Sequence, residues 1–434
     1  MPTAPAAPPP AALAPRAAWG MLLALVSGFA LSQAFRTITA IIATGLRAEF
    51  GLSAAALGAF AGAFAFAFGT MQLFMGIGID LYGVRRTLLA AFPLAIAGAL
   101  LSALAPGYGL VLLGQALIGV GCAPAFLVCT VFIARHFPAQ RFAVVSGVAM
   151  GVGGLGMLFT GTPLAWLVQH ASWRWGFGVL AGLAALAWLL IFWKVHEPAR
   201  PHADGAPRES VGAAVRGFAA LFLLPHTAGI VLLALNTYAS FLALRGLWLG
   251  PLLIERHGFS LVQSGNVAVV VSLVSLFSPA LFGRLDPGPA RRRRWIAGFT
   301  IALAGLFVAI GLLHQAWLDV GGAIGVGLLS GYMVLQYADV RSAYPAAMTG
   351  RAMAVFTMAM FLGVALMQWL TGVAAALALA QGTDPYMVVM LTIAALLMAG
   401  VLAFLQLPAP EPVPEPVPRS GGDGTYEPNR PSEQ

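Results

Sequence analysis

Runs of 18 or more mostly apolar residues follow one another along nearly the whole chain, separated by short polar breaks. Each run is long enough to cross about 30 Å of hydrocarbon as an α-helix. Inside lipid every backbone N–H and C=O needs an internal partner, which leaves only helices and closed barrels. The runs are continuous rather than alternating with period two, so they specify helices. The composition agrees. The chain is 60% hydrophobic and 9% charged, with a mean hydropathy of +0.88, against roughly 25% charged residues in a soluble domain.

Twelve spans are predicted: 17–45, 53–78, 87–105, 109–134, 142–168, 174–194, 225–253, 261–283, 295–313, 318–340, 351–379 and 385–406. The breaks Ala105-Pro106-Gly107, Asp286-Pro287-Gly288-Pro289 and Gln381-Gly382-Thr383-Asp384 fit that count. The expected fold is an all-α membrane protein whose twelve transmembrane helices form two pseudo-symmetric six-helix bundles, residues 17–195 and 223–407. Residues 1–16 and the proline-rich 408–434 read as disordered tails, and 196–222 as a linker. Arg216, beside Phe218, Leu221 and Leu223, suggests a short interfacial helix at the linker's end. The first span is too long for a signal-peptide core and is read as retained.

The net charge of +8 resembles a nucleic-acid signal until the basic residues are placed. On the side of the termini the breaks hold Arg85, Arg86, Arg135, Arg141, Lys194 and the run Arg291–Arg294; the opposite side holds only Arg47, Arg174 and Arg256. That asymmetry is the positive-inside pattern, so both termini are expected in the cytoplasm of a multi-pass bacterial inner-membrane protein. The arginine run is a topology anchor that meets anionic membrane lipids, with no nucleic acid as partner. Cys122 and Cys129, seven apart on one predicted helix, are too distant for a disulfide and read as packing residues.

The two halves repeat. Gly51-Leu52-Ser53 returns as Gly258-Phe259-Ser260 after 207 positions, and the same offset relates Gly76 to Gly283, Arg85 and Arg86 to Arg292 and Arg293, and Pro138 to Pro345. Six spans per half put both halves in one orientation. Parallel repeats with a site between them describe alternating access.

Between the second and third spans stands GIGIDLYGVRR, that is Gly76, Asp80, Gly83, Arg85 and Arg86 in fixed spacing. The glycines permit close approach and a tight turn, and Asp80 suits a cation or a helix N-terminus. This loop resembles the signature loop of the major facilitator superfamily, and the resemblance extends over residues 17–406. It implies two bundles rocking about a central cavity, with Asp80 stabilising the outward-open state and Gly76, Gly83, Arg85 and Arg86 completing the gate. The second copy departs from the pattern, since Asp286 is shifted by one and followed by Pro-Gly-Pro. Other motifs depart too. Gln115 stands where proton-coupled members often carry arginine, and the fifth span has Gly147, Gly151, Gly153, Gly154 and Gly156 in place of the drug antiporters' Gly-Pro motif. Those glycines read as packing positions.

Two arginines, Arg36 and Arg245, lie inside apolar spans at related places in the two halves. An arginine at mid-helix depth costs about 2.5–3.5 kcal/mol even on the translocon scale, and its guanidinium stays charged. The segments SQAFRTITAIIATGLRAEFGLS and YASFLALRGLWLGPLLIERHGFS resemble those around the paired arginines of organophosphate:phosphate antiporters; the first also resembles the anion:cation symporters. The resemblance implies that both arginines hold a phosphate or carboxylate between the bundles. The competing reading is that each snorkels to headgroups. No acid stands at mid-membrane depth to pair with them, since Asp319 and Asp339 bracket the tenth span at its ends.

Helical spacing nominates further ligands: Ser32 and Gln33 one turn before Arg36, Tyr238 seven before Arg245, and Trp248 three after. Gln336 and Tyr337 of the tenth span and Gln368 of the eleventh join them, each equally explicable as an interhelical hydrogen bond or interface residue. Asn236 falls on the opposite face and reads as packing. The seven histidines sit in loops or at span ends without metal-ligand spacing, so no enzyme, metal or cofactor is expected. The sequence thus points to a secondary transporter for a small organic anion, with a co-transported proton or counter-anion, acting as a monomer. Proton-coupled uptake comes first and anion exchange second. The alternatives are an efflux pump for apolar compounds and a sensor or assembly factor on a transporter scaffold.

Overall fold

A computed structural model describes residues 15–138, 141–196, 221, 223–344 and 346–408. The expected tails and the interfacial helix around Arg216 lie outside these residues. Twelve helices are long and apolar enough to span a membrane: α1 (Pro15–Thr37), α2 (Ala54–Gln72), α3 (Leu81–Leu104), α4 (Tyr108–His136), α5 (Val144–His170), α6 (Trp173–Lys194), α7 (Pro225–Arg256), α8 (Leu261–Arg284), α9 (Pro289–Leu313), α10 (Ala316–Ala343), α11 (Met348–Ala380) and α12 (Pro385–Gln406). They match the twelve predicted spans. The third and ninth begin six residues earlier than predicted, at Leu81 against 87 and Pro289 against 295, because the basic loop residues are themselves helical. α1 continues as a further helix, Thr39–Phe50.

The repeated Gly-x-Ser has a simple physical cause. Gly51 (φ 60°) and Gly258 (φ 70°) adopt the left-handed conformation that ends a helix. Two residues on, Ser53 and Ser260 each accept the N–H of the residue three further along, Ala56 and Gln263. Gln263 returns the bond to the Ser260 N–H and closes a capping box. Such caps contribute about 1 kcal/mol each. At the other end of α2, helical hydrogen bonding runs on from Ala54 to Leu104, and only Gly83 (φ 85°, ψ 170°) leaves helical angles. A side chain there would be strained, which fixes the bend between α2 and α3 at that glycine.

The end of the molecule that carries these Gly-x-Ser loops, opposite the termini, is here called the far face. There the bundles touch closely. A Cβ on Gly250 of α7 would overlap the Ala40 carbonyl, and one on Gly58 of α2 would lie among the Gln368 carbonyl and Gly372 of α11. Small residues let backbones meet in this way in lipid. Of the five glycines singled out in the fifth span, Gly153, Gly154 and Gly156 do lie against neighbours, namely Phe29, Leu276 and the Ala30 carbonyl, whereas Gly147 and Gly151 face open space. On the termini face, the end segments of α4 (Ala125–His136) and α10 (Met333–Ala343) scarcely meet across the bundles.

Ion pairs also gather at the far face. Arg47 bridges the bundles to Glu255 at 2.8 Å. Glu255 in turn accepts the Tyr386 hydroxyl at 2.6 Å. Arg256 joins Asp319 (3.1 Å) and Asp384 (2.6 Å), and His257 approaches Asp319 at 2.6 Å. Within the first bundle Arg174 and the Trp173 indole both donate to Glu49. The Arg174 hydrogen bond holds the Glu49 carboxyl below its ordinary pKa. The side chains of Arg47 and Glu255 are 27% and 38% exposed, so the bridge contributes at most about 1 kcal/mol. Arg47→Gln is accordingly expected to lower stability by at most about 1 kcal/mol, checked by thermal unfolding in detergent; a loss of folding would make the bridge structurally essential.

Candidate substrate site

The first arginine sits between the bundles. Arg36 is 9% exposed. Its Nη1 donates to Gln33 Oε1 at 2.8 Å and reaches the Tyr238 hydroxyl of α7 at 3.5 Å; its Nη2 donates to Ser32 Oγ at 3.2 Å. The Ser32 and Gln33 contacts follow from helical spacing, since residues three and four apart share a face. The guanidinium also lies over the rings of Phe68 in α2 and Phe361 in α11, at 4.5 and 4.7 Å. Those rings come from opposite bundles and sit 4.3 Å apart. Cation–π contacts of this kind contribute about 0.5–2 kcal/mol each. Among the described residues no carboxylate pairs with Arg36, and its Nε has no hydrogen-bond partner.

Arg245 has a different setting. It lies in a π-helical turn, Leu244–Trp248, six residues before Pro251 in a helix with a second such turn at Leu252–Arg256. Proline lacks an N–H and crowds the carbonyl four residues back, which favours widened turns nearby. The Arg245 side chain is completely buried. Its Nε donates to the Ala268 carbonyl (3.1 Å) and Ser272 Oγ (2.8 Å) of α8. Its Nη2 crosses to the other bundle and donates to the Met157 carbonyl (2.9 Å) and Thr160 Oγ1 (3.5 Å) of α5.

A break in α5 makes that crossing possible. Thr160 and Gly161 leave helical angles just before Thr162-Pro163, where Pro163 has no N–H to continue the preceding helix and sits instead in the first turn of the next segment. The Gly161 N–H turns to the Leu158 carbonyl, so the Met157 carbonyl loses its helical donor and takes the guanidinium. Thr160 Oγ1 also meets Thr37 Oγ1 at 2.6 Å. A short polar chain therefore runs from Arg245 through Thr160 to Thr37, the neighbour of Arg36.

The nominated residues thus divide. Arg36, Ser32, Gln33 and Tyr238 are brought together, although Tyr238 was expected with Arg245. Tyr337 packs edge-on to Phe356 at 4.8 Å. Trp248 is placed elsewhere: its indole N–H donates to Thr371 Oγ1 at 2.9 Å and its ring meets Tyr386. Gln336 accepts from Thr237 at 3.0 Å and lines, with Asp339, a small cavity inside the second bundle; its amide nitrogen has no hydrogen-bond partner. Gln368 reaches the Leu242 carbonyl at 3.4 Å. Asn236, read as packing, bonds the Leu232 carbonyl and lies against Gly400. Neither arginine turns out to headgroups, and the two do not share an open vestibule in this conformation. Phe68, Phe361, Met157, Thr160, Thr37 and Ser272 were missed by sequence reasoning; only the Thr160-Gly161-Thr162-Pro163 string carried a signal.

At the gate loop the Asp80 side chain lies outside the described residues. Arg85 donates to the Phe192 carbonyl at 2.9 Å and lies over that ring. Arg86 is exposed, and Gly76 lies at the edge of Leu127. In the second half Arg293 makes the matching contact, donating to the Phe404 carbonyl at 2.7 Å and covering its ring. The structural partner of Arg85 is therefore Arg293, one residue beyond the 207 offset. Despite its shift, Asp286 pairs with Arg292 at 2.7 Å and accepts the Gly288 N–H. The Arg292 hydrogen bond holds the Asp286 carboxyl below its ordinary pKa.

The family model described as Major Facilitator Superfamily matches residues 24–368. The chain belongs to the major facilitator superfamily. Within this superfamily it is 29% identical to a D-galactonate transporter of Escherichia coli O6:H1 over 169 residues, which is 38% of this chain and 38% of that one. It is 30% identical to efflux pump hmp6 of Hypomyces subiculosus over 29% of this chain and 22% of that one. The matched stretches thus cover well under half of these curated relatives. The solved structure of a nucleoside transporter, NupG, superposes with a TM-score of 0.70 over 90% of this chain and 99% of that one at 15% identity, a likeness of fold. The chain is accordingly a multi-pass membrane protein of this superfamily.

Proposed function

We propose that this protein moves a small organic anion across a bacterial inner membrane by alternating access. The observation that carries this reading is the setting of Arg36: a buried guanidinium between the bundles, held by neutral groups alone among the described residues, with Nε unpaired. A cation left without a counter-charge in lipid is costly, and an incoming carboxylate or phosphate supplies what is missing. The likeness to a D-galactonate transporter supports the anion reading, because galactonate is a carboxylate.

The positive-inside pattern puts the termini in the cytoplasm. With the far face packed shut, the conformation described is then the inward-facing one. In it Arg36 is the anion's first ligand and Arg245 a tie between the bundles that comes free when the far face opens. Proton symport is the favoured coupling, with anion exchange second. Efflux of apolar compounds is the second reading, favoured by the likeness to an efflux pump.

Reconstitution into proteoliposomes tests this. Labelled carboxylates and organophosphates are expected to accumulate above protein-free vesicles, faster when the outside is acidic. Movement of a hydrophobic dye such as ethidium with no movement of any anion would overturn the reading in favour of efflux.

A further inference from the structure

We infer that His257 and Asp319 form a proton-binding site at the far face, and that its occupancy seats the end of α7 and favours closure on that side. The site shares no residue with the surroundings of Arg36, so the inference is independent of the anion reading.

Two carboxylates here meet one guanidinium. Arg256 reaches Asp319 at 3.1 Å and Asp384 at 2.6 Å. With both nearby histidines neutral, the group carries one uncompensated negative charge. The Asp319 side chain has no exposed surface, and its Oδ1 lacks a hydrogen-bond partner among the described residues. An uncompensated charge in such a setting is costly, and one proton removes it. Histidine is the side chain that ordinarily changes charge near neutral pH. His257 Nε2 stands 2.6 Å from the buried Asp319 carboxylate, and its own side chain is 9% exposed. His314 Nε2 stands 3.3 Å from Asp384 and is 49% exposed. Water screens the second pair far more than the first, which assigns the proton to His257. The remaining groups at this end are matched. Glu255 faces Arg47 and accepts the Tyr386 hydroxyl. α8 and α11 bring no titratable side chain here, since Arg284 and Arg351 lie at their opposite ends.

The end of α7 is where such a fastening has an effect. π-Helical turns at Leu244–Trp248 and Leu252–Arg256 flank Pro251 and interrupt the helix just before His257. The same stretch presents Gly250 to the Ala40 carbonyl and Glu255 to Arg47, two of the contacts that shut the far face. Arg256 also donates to the Ile310 and Gly311 carbonyls of α9. With His257 protonated, the last turn of α7 is held from α9, α10 and α12, and its closing surface is in place before the bundles meet. With His257 neutral, closure bears the entropy of ordering that turn. Acid at the far face therefore favours the closed conformation. Opening has an opposing effect, because Glu255 loses Arg47 and draws positive charge. Those side chains are 38% and 27% exposed, so screening makes this the smaller of the two. The proton enters and leaves on the far side, and it sets the equilibrium without crossing the membrane.

Spin labels on cysteines introduced at Ala48 and Gln381, exposed far-face positions in the two bundles, test the inference in the full chain in detergent. Cys122 and Cys129 are buried and leave the labels at the introduced sites. Distances measured by double electron–electron resonance are expected to move toward the closed separation on acidification. The closed-to-open ratio is expected to rise at least about threefold between about pH 8 and about pH 5.5. His257→Gln and Asp319→Asn are each expected to hold that ratio constant within about 1.5-fold, while His314→Gln responds as the parent does. A parent whose distances ignore pH, or move toward the open separation in acid, would overturn the inference. A His257→Gln variant that still responds would overturn it too. Loss of the response in His314→Gln alone would move the proton to Asp384 and remove His257 from the site.

Discussion

Arg36→Lys is expected to lower uptake at least about hundredfold while the protein inserts and purifies as before. Lysine keeps the positive charge, so simple attraction of an anion survives. What goes is the planar fork, which donates to Gln33 and Ser32 while lying over the adjoining rings of Phe68 and Phe361. An ammonium is compact and strongly hydrated, and it does not offer a carboxylate two parallel donors. Breaking one side of a desolvated, hydrogen-bonded charge pair costs about 2–5 kcal/mol, or roughly 30-fold to several-thousand-fold in an equilibrium constant. Initial-rate uptake in proteoliposomes measures this, with thermal unfolding as the control for folding. A variant that transports within threefold of the unmodified chain would make Arg36 a structural residue.

Gly250→Val is expected to abolish turnover by a different route. The glycine faces the Ala40 carbonyl so closely that any Cβ would overlap it. That contact joins α7 to the helix continuing α1, across the bundle boundary. Backbone atoms cannot step aside as a flexible side chain would, so valine pushes the bundles apart at the far face. The cycle then lacks the closed state, and net transport is expected to fall at least about hundredfold, since closing would cost several kcal/mol. Binding of substrate from the far face persists, because Arg36 and its partners are untouched. Cysteines introduced at Arg47 and Glu255, whose side chains meet in the closed state, give the readout. Cross-linking is expected in the parent and lost with valine. Efficient cross-linking together with full transport would show that the contact is not needed for closure.

Much of the architecture was legible because lipid leaves a chain few choices. The twelve spans follow from length and hydropathy alone, and the repeated Gly51-x-Ser53 and Gly258-x-Ser260 mark where two of them begin. The site was legible where it is local: Ser32 and Gln33 reach Arg36 because one helical turn puts them there. It was illegible where it depends on tertiary packing. Phe68 comes from an alanine–phenylalanine run with no distinguishing period, and Phe361 is one apolar residue among many. Trp248, three residues from Arg245, would share its face on a regular helix, but the π-turn changes the registration and the indole meets Thr371. The 207 offset held at the two Gly-x-Ser helix starts. It slipped by one at the arginine that covers Phe404, because a repeat kept in sequence need not be kept residue by residue in contacts.

The fastening between Arg245 and α5 has one more implication. Its acceptors are the Met157 carbonyl and the Thr160 hydroxyl, with the Ala268 carbonyl and Ser272 hydroxyl holding the same guanidinium from α8. None of these gains or loses a proton in water's working range, so acidity has no grip on this tie. In the proton-coupled reading proposed above, the proton therefore acts on some other group, and the driving force is sensed apart from the place where the two halves are knotted.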